Sequence, residues 1–78
     1  MEPCKILMID DSAELRRVLR MVFESMRPEY HILEAGSLAA GRALLEAEKP
    51  DLLVLDAELP DGSGFDFCRE VRLESDIP

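Results

Sequence analysis

The residues that could carry chemistry are three aspartates, each placed where a short apolar run ends. Asp10 and Asp11 follow the run Lys5–Ile9, and Asp56 follows the run Leu52–Leu55. If the two runs are neighbouring parallel strands, their ends lie roughly 4.8 Å apart and the carboxylates converge. Like charges so close repel one another, and desolvation increases the cost. A bound divalent cation is the usual remedy, so the spacing predicts a metal site.

The run Leu52–Leu55 has the features of a strand in a parallel sheet. Its four apolar residues lie between a Lys-Pro break and a turn rich in Pro, Gly and Ser. Such a run is typical of a strand buried on both faces. Asp56 then emerges at the carboxyl edge of the sheet, where open α/β folds bind their ligands.

The segment after Asp11 has the spacing of a helix. Asp11 or Ser12 can cap it, because a short side-chain oxygen accepts a hydrogen bond from a free amide in the first turn. Pro28 ends it. Arg16, Arg17 and Arg20 are most simply explained as a solvated helix face. The apolar residues recur on the opposite face: Leu15, Val18, Leu19, Val22, Phe23 and Met26.

The remaining segments continue the alternation of strands and helices. Residues 30–34 suit an edge strand, residues 38–48 a helix capped by Ser37, and residues 65–74 a third helix. The order β-α-β-α-β-α implies parallel strands joined by right-handed crossovers. The first strand must lie between the other two to bring the acidic ends together. We therefore predict a doubly wound α/β sheet with strand order 2-1-3.

Length and composition limit the classes of function. The chain has 78 residues, enough for one small domain, and its 17 acidic against 9 basic residues give a net charge of −8. This charge disfavours binding to nucleic acid or to an anionic membrane. No apolar run is long enough to span a bilayer, and we predict a cytoplasmic location. Cys4 and Cys68 lack metal-ligand spacing and suit buried thiols.

Taken together, these residues resemble the receiver domain of two-component response regulators. The resemblance rests on Asp10-Asp11 after the first strand, on Asp56 after the third, and on the turn Leu59-Pro60-Asp61-Gly62-Ser63-Gly64-Phe65. It covers residues 1–78 and implies a partial, flavodoxin-like and CheY-like sheet. On this basis we expect residues 1–78 to form an incomplete receiver domain that runs from the first strand to the third helix. The fourth strand would begin near Ile77, and the later hydroxyl and lysine residues of the family would be missing.

The resemblance also implies roles for individual residues. Asp56 would accept a phosphoryl group from a sensor histidine kinase or a phosphotransfer domain. Asp11, Asp56 and the backbone carbonyl of Glu58 would bind Mg²⁺ directly, and Asp10 would bind it through water. The backbone amide of Ala57 would contact the phosphoryl group. The protein would not be an enzyme beyond catalysing its own phosphorylation and dephosphorylation. Mg²⁺ itself prefers six oxygen ligands, often one or two carboxylates with water and phosphate.

Two predictions about partners follow. An incomplete sheet exposes the outer edge of the third strand, and an exposed apolar edge pairs with another chain. We therefore expect a homodimer, a swapped assembly or association with the rest of the same domain. The family resemblance also leaves open a docking surface for the phosphodonor, made of Arg16, Arg17, Met21 and the loop after Asp56. Transcription regulation is one option for the whole protein.

Two other classes of function remain open. One is a receiver-like interaction module, natural or engineered, that has the acidic pocket but is not productively phosphorylated. The other is a phosphohydrolase with an aspartate nucleophile. The motif of that class is Asp-x-Asp after the first strand, whereas Asp10 and Asp11 are adjacent. Helix capping by Asp10 or Asp11 is compatible with metal binding, because the two interactions use different lone pairs.

Overall fold

Strands and helices alternate along the chain in the computed structural model, which describes residues 4–27, 29–75 and 77–78. The three helices agree closely with the predicted ones, although Pro28, the predicted end of the first helix, lies outside the described residues. A short two-stranded hairpin between the third strand and the third helix was not predicted. The elements are β1 (Lys5–Ile9), α1 (Ala13–Met26), β2 (His31–Ala35), α2 (Leu38–Glu48), β3 (Leu52–Leu55), β4 (Glu58–Leu59), β5 (Gly62–Ser63) and α3 (Gly64–Glu74).

The main sheet is parallel, with strand order β2-β1-β3. This confirms the predicted doubly wound α/β arrangement. At the carboxyl end, Ile9 of β1 is in register with Ala35 of β2 and with Leu55 of β3. All three strands therefore end at the same level, and the residues that follow them share one edge.

The central strand β1 supplies both hydrophobic cores. Successive side chains of a strand point to opposite faces, so Leu7 and Ile9 pack towards α2 and α3, while Ile6 and Met8 pack towards α1. All four side chains are at most 2% exposed. The first core is completed by Ala35, Leu59, Phe67 and Val71, and the second by Ile32 with partly buried Leu19, Phe23 and Tyr30.

Each helix begins at a serine cap. The Ser12 hydroxyl accepts from the Leu15 amide at the start of α1, and Ser37 and Ser63 act in the same way for α2 and α3. Such a cap satisfies an amide that has no partner within the helix. None of the helices in the described parts of the chain is long and apolar enough to cross a membrane. The predicted cellular location stays a prediction.

The third strand differs from the prediction in its burial. Residues Leu52–Leu55 are all half-buried, not fully buried on both faces. Part of the outer edge is paired, since the Leu53 amide donates to the carbonyl of Pro78 at 3.0 Å. Association of β3 with a second chain or with further chain of the same domain stays a prediction.

Polar contacts join α2 and α3 above the first core. The guanidinium of Arg42 on α2 pairs with Glu70 on α3 at 2.6 Å and lies over the ring of Phe67 at 5.0 Å. Both side chains of the ion pair are about half exposed, so the pair contributes little stability. The buried ring of Phe67 contributes more, because it removes a large apolar area from water.

Close packing fixes the first residue of α3 as glycine. A Cβ atom on Gly64 would overlap the carbonyl oxygen of Asp56 and lie 3.1 Å from the Cα of Ala57. These neighbours are backbone atoms that cannot rotate away. Gly36, in contrast, has room, because its Cβ would lie 3.5 Å from a guanidinium nitrogen of Arg16, an ordinary contact.

We predict that Gly64→Ala destabilises the fold by about 3 kcal/mol, at the upper end of overpacking costs. The backbone of Asp56 or α3 must move to admit the methyl group. Thermal or urea unfolding measures the effect, with Gly36→Ala as the matched control, expected to change stability by less than about 1 kcal/mol. Equal stabilities for the two variants would show that the contact at Gly64 is not tight.

Candidate metal centre at the carboxyl edge of the sheet

The three aspartates singled out in the sequence converge at the carboxyl edge of the sheet. One carboxylate oxygen from each of Asp10, Asp11 and Asp56 lies within 4.8 Å of the other two. Asp10 and Asp56 are half-buried, and Asp11 is exposed. The spatial convergence predicted from the strand ends is therefore present, whereas the role of each carboxylate stays a prediction.

Backbone hydrogen bonds that extend the sheet place Asp10 and Asp56. The amide of Asp56 donates to the carbonyl of Ile9 at 2.9 Å, and the amide of Asp10 donates to the carbonyl of Ala35 at 3.0 Å. Each of these two aspartates thus continues the hydrogen-bond pattern of the sheet by one residue beyond the end of its strand. Because both are bonded to a neighbouring strand, the main chain beneath their carboxylates is fixed by the sheet and not by the loops.

Asp10 also orders the turn that leads into α1. Its Oδ1 accepts from the amide of Ser12 at 2.8 Å, while Ser12 in turn caps the helix through Leu15. A carboxylate has further lone pairs beyond the one used in this turn. The structural role of Asp10 is therefore compatible with a role at a metal, as expected from the sequence.

An open depression lies beside the aspartates on the side of the loop that follows β3. Asp11 and Asp56 line it together with Ala57 and Glu58, and Leu59 and Pro60 complete the wall. Ala57 and Glu58, whose backbone groups are predicted ligands, thus line the same depression as Asp11 and Asp56. Their predicted backbone contacts, an amide to a phosphoryl group and a carbonyl to a metal, stay predictions.

The donor set fits a hard divalent cation. All the converging side-chain donors are carboxylate oxygens, which Mg²⁺ prefers, and the open depression leaves room for the water molecules that Mg²⁺ retains. The cation would offset the mutual repulsion of three like charges. Such an ion next to a carboxylate nucleophile also suits phosphoryl transfer, in which charge on the transferring group must be neutralised.

The loop after Asp56 is closed at its base. The Gly64 amide donates to the carbonyl of Ala57 at 2.8 Å, and Gly64 itself abuts the main chain of Asp56. Between these points the chain forms the hairpin of β4 and β5, in which Glu58 is paired with Ser63 and Leu59 with Gly62. The first turn of α3 is therefore in direct contact with the residue at the centre of the candidate site.

Asp61, at the tip of this hairpin, has a role that the sequence did not reveal. The sequence indicated a turn residue, which Asp61 is, but its carboxylate also accepts from the Leu38 amide at 2.8 Å and the Ala39 amide at 3.0 Å. These hydrogen bonds hold the pKa of Asp61 below its usual value. The loop that lines the candidate site is thereby fastened to the N-terminus of α2.

The arginines of α1 are not simply a solvated face, contrary to the prediction. Arg16 and Arg20 both pair with Glu34 on β2, at 3.1 and 2.7 Å. Partial burial alone would raise the pKa of Glu34, but hydrogen bonds from Arg20 and Arg16 outweigh it and lower that pKa. Arg17 alone of the three is exposed, as predicted.

Comparison with known protein families gives a match over nearly the whole chain. Residues 6–78 match the family model described as response regulator receiver domain. Among curated relatives, the KDP operon transcriptional regulatory protein KdpE of Escherichia coli K12 is 37% identical over 73 residues, which is 94% of this chain and 32% of KdpE. The DNA-binding transcriptional activator DevR/DosR of Mycobacterium tuberculosis is 40% identical over 68 residues, 86% of this chain and 31% of that protein.

Solved structures give the same result for the fold. The signal receiver domain of a DNA binding response regulator protein from Colwellia psychrerythraea 34H superposes with a TM-score of 0.85 and 28% identity. The match covers 90% of this chain and 57% of that one. The MaeR response regulator bound to beryllium trifluoride gives a TM-score of 0.86 at 27% identity, covering 91% and 58%. The chain spans about a third of the length of the curated relatives named above.

We predict that Asp61→Asn lowers the melting temperature at neutral pH, because the amide keeps only one of the two acceptor oxygens. The lowered pKa means that this stabilisation is fully present above the ordinary value of 3.8 and is lost as the pH falls through the native value. Melting curves from pH 7 to pH 3 should therefore show the difference between variant and wild type closing below about pH 4.

Asp61→Ala serves as the comparison, since it removes both acceptors and should cost more than Asp61→Asn at neutral pH. A difference between wild type and Asp61→Asn that is the same at pH 3 as at pH 7 would show that the Asp61 charge does not stabilise the start of α2.

Proposed function

Because the chain belongs to the response regulator receiver domain family, we propose that it accepts a phosphoryl group on Asp56, with Mg²⁺ held by the aspartate cluster, in two-component signalling. The observation that carries this proposal is the convergence of Asp10, Asp11 and Asp56 at the end of paired parallel strands. The turn before α1 accounts for Asp10 alone, through its hydrogen bond from the Ser12 amide, but it does not account for three carboxylates at one point.

The proposed reaction is a displacement at phosphorus. A carboxylate oxygen of Asp56 forms the new bond to phosphorus, the bond from phosphorus to the donor atom breaks, and the donor leaves with that electron pair. Mg²⁺, when bound, neutralises charge on the transferring group. The sheet supplies the orientation, since the amide of Asp56 is anchored on Ile9 while its side chain lines an open depression that a donor can reach.

The chain's own groups divide the remaining tasks. We propose that Asp11 and the backbone carbonyl of Glu58 bind the metal with Asp56, and that Asp10 acts through water. The amide of Ala57 would donate to a phosphoryl oxygen. Support for this assignment is that Asp11, Asp56, Ala57 and Glu58 all line one depression, while Asp10 is tied to the Ser12 amide.

We propose a sensor histidine kinase or a phosphotransfer domain as the donor, because these are the donors of the family. The curated relatives are named transcriptional regulators, and this chain spans about a third of them. Regulation of transcription is thus a proposal for a whole protein that contains this segment. With a net charge of −8, the segment itself is unsuited to contact nucleic acid.

A receiver-like interaction module that is never phosphorylated is the second candidate. The half-buried β3 strand and the exposed apolar residues of α1, such as Val18 and Met21, are the observations that favour it. Such a module would retain the aspartate cluster and could still bind a cation. Metal binding and phosphorylation must therefore be tested separately.

We predict that Mg²⁺ raises the melting temperature of the wild-type chain. A ligand that binds only the folded state stabilises it by about 1.4 kcal/mol at ten times its Kd. For a domain of this size that is a rise of roughly 5 to 10 °C. Asp11→Ala should abolish the rise, because it removes a ligand and lowers the charge of the cluster.

Asp51→Ala is the matched control for the metal test. Asp51 precedes β3 at the opposite end of the strand, where its carboxylate accepts from the Lys5 amide at 2.8 Å. This variant should be less stable but keep the full response to Mg²⁺. If Asp51→Ala and Asp11→Ala lose the response equally, or if wild type never shows one, the metal assignment is wrong.

We predict that the wild-type chain, treated with a small acyl phosphate donor and Mg²⁺, acquires a phosphate that retards it in a phosphate-affinity gel. The product is an acyl phosphate, so hydroxylamine should remove it. Asp56→Asn should show no retarded band, because a neutral amide is not a nucleophile for phosphorus.

Chelation of Mg²⁺ provides the second control for phosphorylation. Wild type without Mg²⁺ should remain unmodified, and Asp51→Ala with Mg²⁺ should be modified as wild type is. A wild-type chain that responds to Mg²⁺ in melting but gains no phosphate would favour the interaction module. A retarded band for the Asp56→Asn variant would show that another residue is the acceptor.

A further inference from the structure

We propose that Arg16 is a positioning residue for the metal site. It links the main chain of Asp10 to the end of β2 by hydrogen bonds and so acts as a clamp between them. The inference rests on the proposed function, because it concerns the same aspartate cluster. Arg16 does not itself touch the depression, and its contribution is to hold Asp10 where the carboxylates converge.

The contacts of Arg16 run between two strands. Its Nη1 donates to the carbonyl oxygen of Asp10, and its Nε donates to Oε1 of Glu34 at 3.1 Å. The side chain is only 17% exposed, less than any other charged side chain in the ion pairs of the described residues. A planar guanidinium can make both contacts at once, which a single ammonium group cannot do in the same geometry.

Glu34 is itself held in place. Its second oxygen, Oε2, accepts from Nε of Arg20 at 2.8 Å, and Nη2 of Arg20 also donates to the carbonyl of Ile32 at 3.3 Å. Glu34 lies on β2, one residue before Ala35, whose carbonyl accepts from the Asp10 amide. The guanidinium of Arg16 is therefore fastened to a rigid strand and not to a loop.

Asp10 is consequently restrained at three atoms. Its amide is bonded to Ala35, its carbonyl to Arg16, and its Oδ1 to the Ser12 amide. Without a cation, the three neighbouring carboxylates repel one another and favour a more open loop between β1 and α1. The Arg16 clamp opposes that opening and keeps the donors preorganised, which lowers the free-energy cost of binding a metal.

The sign of the effect on Mg²⁺ affinity separates positioning from simple electrostatics. A positive charge near a cation site disfavours the cation, so removing Arg16 should strengthen Mg²⁺ binding if only its charge matters. If Arg16 positions Asp10, removing it should weaken binding. Substituting residues that orient direct metal ligands typically weakens metal affinity by about 10- to 100-fold. Because Asp10 is proposed to act through water, we expect the lower end of this range for Arg16.

The experiment is Mg²⁺ titration by calorimetry on the folded full chain, with unfolding in the absence of metal measured in parallel. Arg16→Met should weaken Mg²⁺ binding about tenfold. The control is Arg17→Met, which removes the same charge from the next residue of α1. The side chain of Arg17 is exposed and, within the described residues, makes no hydrogen bond or ion pair. Its removal should therefore leave the Mg²⁺ affinity unchanged.

Arg16→Lys decides the matter if Arg16→Met folds poorly. Lysine keeps the positive charge but cannot donate to both Asp10 and Glu34. The Mg²⁺ affinity of the Arg16→Lys variant should therefore fall below that of wild type. Unchanged or tighter binding by Arg16→Lys or Arg16→Met would overturn the inference, even if the variant is less stable. Loss of binding by Arg17→Met as well would also overturn it.

Failure of the proposed function has a different signature in the same titrations. A wild-type chain that binds no Mg²⁺, or an Asp11→Ala variant that binds it as wild type does, would remove the metal site itself. A wild type that binds Mg²⁺ through Asp11, with Arg16→Met binding equally well, would leave the metal site standing and remove only the role of Arg16.

Discussion

The parallel register of β1 against β3 is the constraint on which the candidate site depends. Ile9 lies opposite Leu55, so the residues that follow the two strands leave the sheet at the same level. A slip of one residue would turn each side chain of β3 to the other face and move Asp56 out of line with Asp10. The burial of β1 on both faces therefore fixes the position of Asp10 relative to Asp56.

Hydrogen bonds between side chains and the main chain then hold the loops that carry the aspartates in place against the mutual repulsion of their carboxylates. Each connecting loop has an anchor outside itself: the turn before α1 is held through Arg16 on Glu34, and the loop after β3 through Asp61 on α2. The base of that second loop is closed by Gly64. The hydrophobic core thus sets where the aspartates lie, and these contacts limit how far they can move apart.

Most of the architecture follows from local patterns in the sequence. The bounds of β1, α2 and β3 were predicted from apolar runs and helical spacing, and the meeting of the three aspartates from the parallel order of strands. The partners of Asp61 and Arg16 could not be predicted in this way, because they lie 23 and 18 residues away and no periodicity relates them. The partial exposure of Leu52–Leu55 was missed because an apolar run indicates a buried strand but says nothing about which elements cover it.

The attachment of the β4 and β5 hairpin at both its base and its tip limits how this region can diverge in evolution. Surface hairpins usually tolerate added or lost residues at their tips. In this chain the tip carries Asp61, which must reach the first amides of α2, and the base must bring Gly64 against Asp56. An insertion between residues 57 and 63 would displace one of these attachments. Homologous chains that keep both contacts are therefore expected to vary in sequence across this hairpin but not in the number of residues it contains.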